Sequence, residues 1–335
     1  MSRDTLSELL RAVRLRGAIF YYVDGVEPWV AEAPPACEMA PAIMPGVDHL
    51  IEFHVVTRGS CYGGVVGAEP VPLGQGDVIM FPQGDPHVMS SAPGMRARAV
   101  DPDLYFSPRP PQLPYVLERR GEDVVSTVRL DGGGASGAQV VCGFLGCDAR
   151  PFNPLVAALP RMIHVPGAAE RDSWITEFVR IAVAEASDKR PGGEAMLERL
   201  SEMMFVGVLR RYLEALAPGQ TGWLAGLRDR FVGRALALLH EQPTRKWTIE
   251  ELGESVGLSR SALHDRFVEL VGQPPIQYLA QWRMQLASRK LVESTMNVAA
   301  IAQEVGYESE AAFNRAFRRT VGMPPAAWRR ARAAR

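Results

Sequence analysis

The chain has 335 residues, which is long enough for two or three domains. Its hydrophobic content of 47% is ordinary for a globular protein, and its formal net charge is −1. No apolar run approaches the roughly 20 residues of a membrane-spanning helix, and the first residues lack the hydrophobic core of a signal peptide. We therefore expect no membrane contact and a cytoplasmic location.

The charge is distributed unevenly along the chain. Residues 223–335 hold seventeen Lys and Arg against eleven Asp and Glu, whereas the remainder holds twenty against twenty-seven. This asymmetry suits a polyanionic partner for the C-terminal part only.

The N-terminal part is predicted to be a short helix followed by a β-barrel. Residues 1–16 carry apolar side chains at helical spacing, and from residue 17 to about 165 short β-rich runs alternate with Gly and Pro. The runs are AIFYYV, HLIEFHVVT, CYGGVV, DVIMF, STVRL and QVVCGFL. Such a series predicts an antiparallel sandwich or small barrel, with a loop at 108–114 and a turn at 132–134.

One stretch of this part resembles a cupin motif. Residues 76–87, GDVIMFPQGDPH, resemble the second cupin motif, and Glu52 with Gly59 resembles the end of the first. Metal-binding cupins use two histidines, a glutamate and a third histidine, but Gly46 and Asp48 stand where the first two histidines would be. The resemblance implies a cupin-like fold with half of the usual ligand set.

Glu52 and His54 fall on one face of a predicted strand, and with His87 they are our candidates for an effector pocket. His49 is a fourth candidate. Two imidazoles and a carboxylate can also hold zinc, nickel or non-haem iron, so a divalent metal is the candidate cofactor. The alternative, which we favour, is that Glu52 and His54 form a hydrogen-bonded polar pair in a barrel without a metal.

The cysteines (Cys37, Cys61, Cys142 and Cys147) contain no CxxC pair, which argues against a disulfide framework or a zinc ribbon. Cys142 and Cys147 would lie about 16 Å apart on opposite faces of a straight strand at roughly 3.3 Å per residue. They cannot form a disulfide without a bend at Gly146. We interpret the cysteines as buried structural thiols, with a redox sensor that uses another pair as the alternative.

Two helices are predicted next, over residues 172–187 and 194–217. The second carries an apolar stripe at spacings of three and four residues, formed by Met196, Leu200, Met203, Met204, Val208 and Leu209. This stripe packs on the barrel or forms a dimer interface, and both interpretations stay open.

The C-terminal part contains an internal repeat. Residues 256–275 (VGLSRSALHDRFVELVGQPP) align with residues 305–325 (VGYESEAAFNRAFRRTVGMPP) at an offset of about fifty residues. Each copy predicts a helix, a glycine turn and a second helix with a serine N-cap, and the turn and cap residues are Gly257, Gly306, Ser259 and Ser309. Thr248 and Glu251 form a predicted capping box before the first copy. A helix over 276–291 joins the two units.

The second helices, 259–270 and 309–320, present polar side chains from their first turns, which suits a DNA major groove. A solvated face of a four-helix packing unit is the alternative, and the tandem duplication argues against it. The candidate DNA-binding residues are Arg260, Ser261, His264, Asp265, Arg266, Glu310, Ala311, Asn314, Arg315, Arg318 and Arg319. Among them we assign Arg260, Ser261, His264, Asn314 and Arg315 to base edges, and Arg266, Arg318 and Arg319, with Lys246, to phosphates.

Residues 247–330 resemble the AraC/XylS family of bacterial transcription regulators, through SRSALHDRF, QYLAQWRMQLA, IAQEVGYESEAAFNRAFRR and GMPPAAWRR. The resemblance implies two helix-turn-helix units on a rigid linker helix, with each second helix in the major groove. Asp265 departs from the family, in which a basic or amide side chain is common near that position. FHVVTRGSC, GDVIMFPQGDPH, VVCGF and RPFNPLVAALP are similar to a subgroup with an effector-binding cupin-like domain, followed by helices that often form the dimer interface.

We therefore predict an α+β multidomain protein with a cupin-like antiparallel β-barrel (1–165), a helical linker or dimerisation segment (166–222) and an all-α double helix-turn-helix domain (223–335). The predicted function is sequence-specific transcription regulation, without enzymatic activity, under control of a small-molecule or stress signal. Expected partners are double-stranded DNA of the nucleoid, an unidentified effector, a second copy of the chain, and RNA polymerase if the protein is an activator. The alternatives are a metal-dependent cupin enzyme fused to a DNA-binding domain and an architectural DNA binder without sequence preference.

Overall fold

The computed structural model describes residues 4–97, 115–121, 123–126, 137–167, 174–188, 191–217 and 219–333. It divides into two compact units, which we call the sheet unit and the helical unit. The sheet unit comprises Leu15–Cys147 and Leu159–Glu214, and the helical unit comprises Met1–Arg14, Asp148–Ala158 and Ala215–Arg335. The predicted loop at 108–114 and turn at 132–134 lie outside the described residues.

The described strands form one curled, largely antiparallel sheet that makes a half-barrel in the sheet unit. They are β1 (Arg16–Ala33), β2 (His49–Arg58), β3 (Ser60–Val65), β4 (Val71–Gly74), β5 (Val78–Phe81), β6 (His87–Ser90), β7 (Tyr115–Gly121), β8 (Asp123–Ser126), β9 (Gly137–Cys147) and β10 (Ile163–Val165). Their order is β10-β5-β2-β9-β1-β6-β3-β4, and β7 pairs in parallel with β1 and antiparallel with β8. The prediction of an antiparallel β-domain is confirmed.

The long strand β1 holds the sheet together, because it pairs with β9 over one half of its length and with β6 over the other. A register shift between Ile19 and Tyr21 marks an irregularity within this strand. Apolar side chains from both halves of the sheet meet in one core that includes Trp29, Val56 and Phe144. The sheet thereby curls around an interior that its strands share.

The Gly-Asp pair of the cupin-like stretch closes a tight connection between strands. The carboxylate of Asp77 accepts hydrogen bonds from the backbone N–H groups of Gly74 at 3.0 Å and Gly167 at 2.8 Å. Its Oδ2 also lies 3.0 Å from Nε2 of His164. Asp77 therefore has a structural role at the sheet edge.

The helices of the sheet unit are α2 (Ala36–Ile43), α4 (Trp174–Asp188) and most of α5 (Gly193–Ala215). Those of the helical unit are α1 (Thr5–Ala12), α3 (Pro154–Ala158), α6 (Trp223–Arg228), α7 (Arg230–Glu241), α8 (Ile249–Val256), α9 (Arg260–Val271), α10 (Pro275–Glu293), α11 (Val298–Glu304), α12 (Glu310–Val321) and α13 (Pro325–Ala333). The sequence did not predict α2, α3, α6, α7 or α13.

The compact units differ from the predicted domains in three segments. The predicted linker segment 166–222 is divided between them, because the sheet unit ends at Glu214 and the helical unit resumes at Ala215. Met1–Arg14 and Asp148–Ala158 were predicted to belong to the barrel domain, but they pack with the C-terminal helices. The buried amide of Gln285 on α10 donates to the carbonyl of Ala12 at 3.0 Å and accepts from the N–H of Phe152 at 3.1 Å. The assignment of sensing, linking and DNA binding to residues 1–165, 166–222 and 223–335 stays a prediction.

The two predicted repeats have the same local geometry. Ser259 and Ser309 cap α9 and α12, each accepting a hydrogen bond from a backbone N–H three residues later. Gly257 and Gly306 stand in the left-handed region, with φ of 82° and 84°, where the chain turns between helices. The capping box of Thr248 with Glu251 is present at the start of α8. The aromatic residues that face inward, Phe267, Phe313 and Phe317, are fully buried.

The two turn glycines differ in their surroundings, which gives a test of this packing. Alanine at either position must adopt a left-handed backbone at a cost of about 1–2 kcal/mol. A Cβ at Gly306 would also lie 2.8 Å from Cα of Thr244, whereas a Cβ at Gly257 meets nothing within 4 Å. Gly306→Ala should therefore lower the free energy of unfolding of the helical unit more than the matched Gly257→Ala.

The measurement is amide hydrogen exchange of peptides from 249–321 in the full-length protein. An equal loss of protection in the two variants would contradict the close approach of Gly306 to Thr244.

Candidate functional site

A cavity of about 70 Å³ lies in the sheet unit, between the inward faces of β1, β2, β6 and β9. Its wall is mostly apolar. The lining residues are Tyr21, Val23, Trp29, Ala31, Glu32, Ala33, Glu52, His54, His87, Met89, Val140, Cys142 and Phe144. The cavity therefore combines an aromatic and aliphatic surface with a small polar cluster.

The strand register explains why the predicted pocket residues meet. Glu52 and His54 are two residues apart on β2 and share one face, on which His54 stands opposite Cys142 of β9. His87 reaches the same place from β6. Glu52, His54 and His87 thus come together as expected, although their role in binding an effector stays a prediction. His49 does not line the cavity, and its Nε2 lies 2.7 Å from the carbonyl oxygen of Pro82.

A directed chain of hydrogen bonds runs through this cluster. Nδ1 of His87 lies 3.1 Å from the carbonyl oxygen of Asp85, which can only accept, so this nitrogen carries the proton. Burial lowers the pKa of His87 to about 4 and the pKa of His54 well below its usual value, with neighbouring His87 adding to the latter shift. Both rings are therefore neutral at pH 7, and each has one donor and one acceptor nitrogen.

The remaining two bonds follow from this assignment. Nε2 of His87 must accept from Nε2–H of His54, at 2.7 Å. Nδ1 of His54 is then an acceptor, and the thiol of Cys142 donates to it, with Sγ and Nδ1 2.9 Å apart. The thiol proton of Cys142 thus points at an imidazole nitrogen that can take it. Sequence reasoning interpreted this cysteine as a buried structural thiol, whereas it is partly exposed at the cavity.

Glu52 has the fewest hydrogen bonds of the polar residues in this cluster. Its residue is 2% exposed, its Oε1 has no hydrogen-bond partner among the described residues, and its Oε2 is 3.8 Å from Nε2 of His87. Burial raises the pKa of this carboxyl well above its usual value. Glu52 is consequently held towards its neutral, protonated form.

The arrangement does not fit a metal ion. Zinc binds imidazole nitrogens at about 2.0–2.1 Å in a tetrahedral site, which would hold two of them more than 3 Å apart. The two Nε2 atoms of His54 and His87 are 2.7 Å apart and share a proton. No group of three His, Cys, Asp or Glu side chains in the described part of the chain is arranged for a metal. The divalent metal stays a prediction from the sequence.

The buried carboxyl makes stability depend on pH. Above the unfolded pKa of about 4.3 the unfolded chain ionises Glu52 while the folded chain keeps it protonated. The free energy of unfolding therefore falls as pH rises from the unfolded pKa towards the folded pKa, by about 1.4 kcal/mol for each step of one in pH. Glu52→Gln removes this loss and keeps the size of the side chain. The variant should be more stable than the wild type, by a margin that grows between pH 5 and pH 7.

Melting temperatures at pH 5, 6 and 7 measure this margin. The lowered pKa values of His54 and His87 destabilise both proteins alike at acid pH, so they cancel in the comparison. A margin that is constant with pH would contradict the raised pKa of Glu52.

The candidate DNA-contacting residues lie on α9 and α12 of the helical unit. All are exposed except Asn314, which is half-buried. On and beside α9 the basic side chains are already paired. Arg260 pairs with Glu250 at 2.7 Å and Arg266 pairs with Asp229 at 2.6 Å.

Arg266 has a structural role that the amino-acid sequence did not predict. Asp229 is the N-cap of α7, where it also accepts from the N–H groups of Phe231 and Val232, so Arg266 ties α9 to the start of α7. His264 likewise contacts Asp265, with 3.1 Å between Nδ1 and Oδ1. Lys246, predicted to contact phosphate, pairs with Glu308.

The second helix-turn-helix unit differs from the first in the ion pairing of its basic side chains. Arg315, Arg318 and Arg319 on α12 are exposed, and none of them forms an ion pair within the part of the chain that the structure describes. Three such guanidinium groups on one short helix make a local positive surface suited to phosphates and to guanine edges.

No helix among the described residues is long and apolar enough to cross a membrane.

A half-barrel with a mostly apolar cavity, joined in one chain to paired helix-turn-helix units, is the architecture of a two-part DNA-binding transcription regulator. A family model described as a cupin matches residues 4–214, and one described as a helix-turn-helix domain matches residues 252–331.

The chain is similar to a putative AraC-like transcription regulator of Streptomyces lividans, with 33% identity over 84% of this chain and 87% of the relative. It is also similar to the transcriptional regulator AlkR of Acinetobacter baylyi, with 25% identity over 97% of this chain and 99% of the relative. Among solved structures, the DNA-binding domain of AdpA with a target DNA is 31% identical over 32% of this chain and 95% of that chain, with a TM-score of 0.30. The chain belongs to the AraC-type family of transcription regulators that carry a cupin domain before the DNA-binding domain.

Proposed function

We propose that this regulator reads DNA with α9 and α12 in two successive major grooves, roughly 34 Å apart along one face of the duplex. The observation that supports this most strongly is the repetition of cap, turn and buried aromatic residues, which leaves the same face of each second helix exposed. Base edges would be contacted from α9 and α12, by Arg315 among others, and Arg318 and Arg319 of α12 would supply most of the phosphate contacts. The protein would then act in the cytoplasm, at the nucleoid.

Control of DNA binding is assigned to the cavity of the sheet unit. A small molecule shifts an equilibrium only if it binds two arrangements with different affinity. We expect its contact with Glu52, which is buried without a hydrogen-bond partner for Oε1, to differ between them. The wall strand β9 ends at Cys147, and the next residues form the segment Asp148–Ala158 that is bonded to α10 through Gln285. A change in β9 is thereby passed along the chain to the linker helix between the two DNA-reading units.

We favour a regulator without enzymatic activity over a metal-dependent cupin enzyme. The relatives are named as transcription regulators, and the two imidazoles of the cavity bond to one another where an enzyme would hold a metal. If the protein activates transcription, RNA polymerase is a further partner.

The test of this function is the ratio of specific to non-specific affinity. DNA selected from a random pool by the full-length protein is compared with scrambled DNA at one fixed salt concentration, by fluorescence anisotropy. We expect binding about 10³-fold or more tighter to the selected DNA. A ratio near one would establish an architectural DNA binder in place of a regulator that reads sequence.

Arg315 and Arg318 give a matched pair for the division between base and phosphate contacts. Arg315→Ala should relax specificity at one or two base positions, at a cost of about 1–3 kcal/mol. Arg318→Ala should weaken binding to all sequences alike and reduce the slope of log affinity against log salt by about 1. An Arg315→Ala protein with unchanged affinity and unchanged site preference would contradict the base contact.

A homodimer is proposed through the exposed side of α5. Leu200, Met204, Val208 and Leu209 of the apolar stripe are buried within the sheet unit, but Met196 and Met203 are 48% and 68% exposed. These two methionines are seven residues apart and share one helix face.

Met203→Glu places a charge on that face and should convert the dimer into a monomer of 36.7 kDa, as measured by light scattering after gel filtration. Ala195→Glu, which is exposed about 80–100° around the helix from the two methionines, is the control and should remain dimeric. Dimers of unchanged stability in both variants would exclude this face as the interface.

A further inference from the structure

The cavity holds a thiol that differs from the other buried cysteines. Burial, with a smaller effect of Asp77, raises the pKa of Cys61 to about 12, and Cys147 is likewise buried. Cys142 alone among these three is partly exposed, and its thiol donates to an imidazole that His87 and the carbonyl of Asp85 hold in the accepting tautomer. A cysteine hydrogen-bonded to an oriented histidine is the arrangement of an activated nucleophile.

Glu52 is an independent sign of a ligand in the same cavity. This side chain is almost fully buried, which raises the pKa of its carboxyl and favours the protonated form, and Oε1 has no partner among the described residues. A buried carboxylic acid without an acceptor is costly unless a ligand supplies one. Because the remaining wall is largely apolar, that ligand is small and uncharged with at least one oxygen acceptor.

We propose that the cavity receives small α,β-unsaturated carbonyl compounds and that Cys142 adds to them covalently, so that the regulator senses electrophiles. Cys142 and Glu52 are diagonal neighbours across β2 and β9, with Cβ atoms about 7–8 Å apart or somewhat less. That spacing suits a ligand whose electrophilic carbon is separated by two bonds from the carbonyl carbon. Glu52 would donate a hydrogen bond to the carbonyl oxygen while Sγ of Cys142 attacks the β carbon.

The reaction is an addition and requires no oxidant and no leaving group. Nδ1 of His54 takes the thiol proton of Cys142 while the sulfur lone pair forms its bond to the β carbon, because burial disfavours an imidazolium before the attack. The π electrons of the carbon–carbon double bond move to the α carbon and the carbonyl oxygen, where the hydrogen bond from Glu52 stabilises the developing charge. The proton on His54 then passes to the α carbon, which restores the neutral imidazole and completes the thioether.

This inference rests on the proposed function, because the adduct matters to the cell only if it changes DNA binding. A thioether in the cavity occupies the face of β9 that leads to Asp148–Ala158, so the adduct should change the Kd for selected DNA by about fivefold or more. Cys142→Ser should show no change in Kd with the same reagent.

The test uses N-ethylmaleimide as a small probe on the native full-length protein, with the labelling rate of each cysteine followed by peptide mass spectrometry. Exposed Cys37 is the internal control within the same molecule. We expect Cys142 to react faster than Cys37. His54→Gln should slow Cys142 by about 10²-fold, the lower end of what a positioned base contributes, without changing the rate of Cys37.

Labelling of Cys61 and Cys147 reports unfolding of a variant, since both are buried in the native protein. If Cys61 and Cys147 become reactive in His54→Gln, the variant is unfolded. The test then rests on the labelling rates of Cys142 and Cys37 in the wild-type protein. Slower labelling of Cys142 than of Cys37, or a Cys142 rate unaffected by His54→Gln in a folded variant, would overturn the proposal. Loss of specific DNA binding by unmodified protein would overturn the proposed function instead.

Discussion

The organisation of the molecule depends on one buried amide. Gln285 stands in the middle of the linker helix α10, is fully buried, and uses both ends of its side chain on backbone groups, the carbonyl of Ala12 and the N–H of Phe152. A buried amide left without these partners would cost about 1–3 kcal/mol, so the helix and the two segments stabilise one another. The segments that precede β1 and follow β9 are therefore part of the helical unit. The N–H of Asp148 adds a bond to the carbonyl of Val13 at 2.8 Å, which joins the two segments directly.

The proposed control of DNA binding would use this connection along the chain. The cavity wall and the linker helix are connected by a covalent chain of a few residues, from Cys142 on β9 through Asp148 to Phe152. Coupling between an effector and DNA needs a difference in free energy between two arrangements, not a specific pathway. The polar cluster of Glu52, His54 and His87 is suited to create that difference, because Glu52 is buried with an unused hydrogen-bonding capacity.

Much of the fold follows from the sequence because its signals are local. Ser259, Ser309, Gly257 and Gly306 predicted caps and turns that depend only on neighbouring residues, and the structure has each of them. Strand alternation placed Glu52 and His54 together for the same reason. The pairing of β2 with β9, which brings Cys142 to His54, joins residues 88 positions apart and has no local signature.

The difference between local and long-range contacts also explains why the structure pairs Arg266 differently from the prediction. Arg266 was predicted to meet phosphate because it is exposed on α9, yet its nearest anion is Asp229, 37 residues earlier in the chain. Exposure can be inferred from helical periodicity, but the ion pair depends on how α9 packs against α7. The predicted barrel limit at residue 165 departs from the compact units for a similar reason, since Asp148–Ala158 follows a strand in sequence and packs with helices in space.

The proposed mode of DNA binding requires that two similar helix-turn-helix units read two major grooves of one duplex. Methylation interference with the selected DNA is the direct test, because methylation of guanine N7 blocks contacts in the major groove. Two clusters of interfering guanines should appear for each bound chain, with centres about 10 base pairs apart. A single cluster for each bound chain, or interference confined to the minor groove, would contradict this mode of binding.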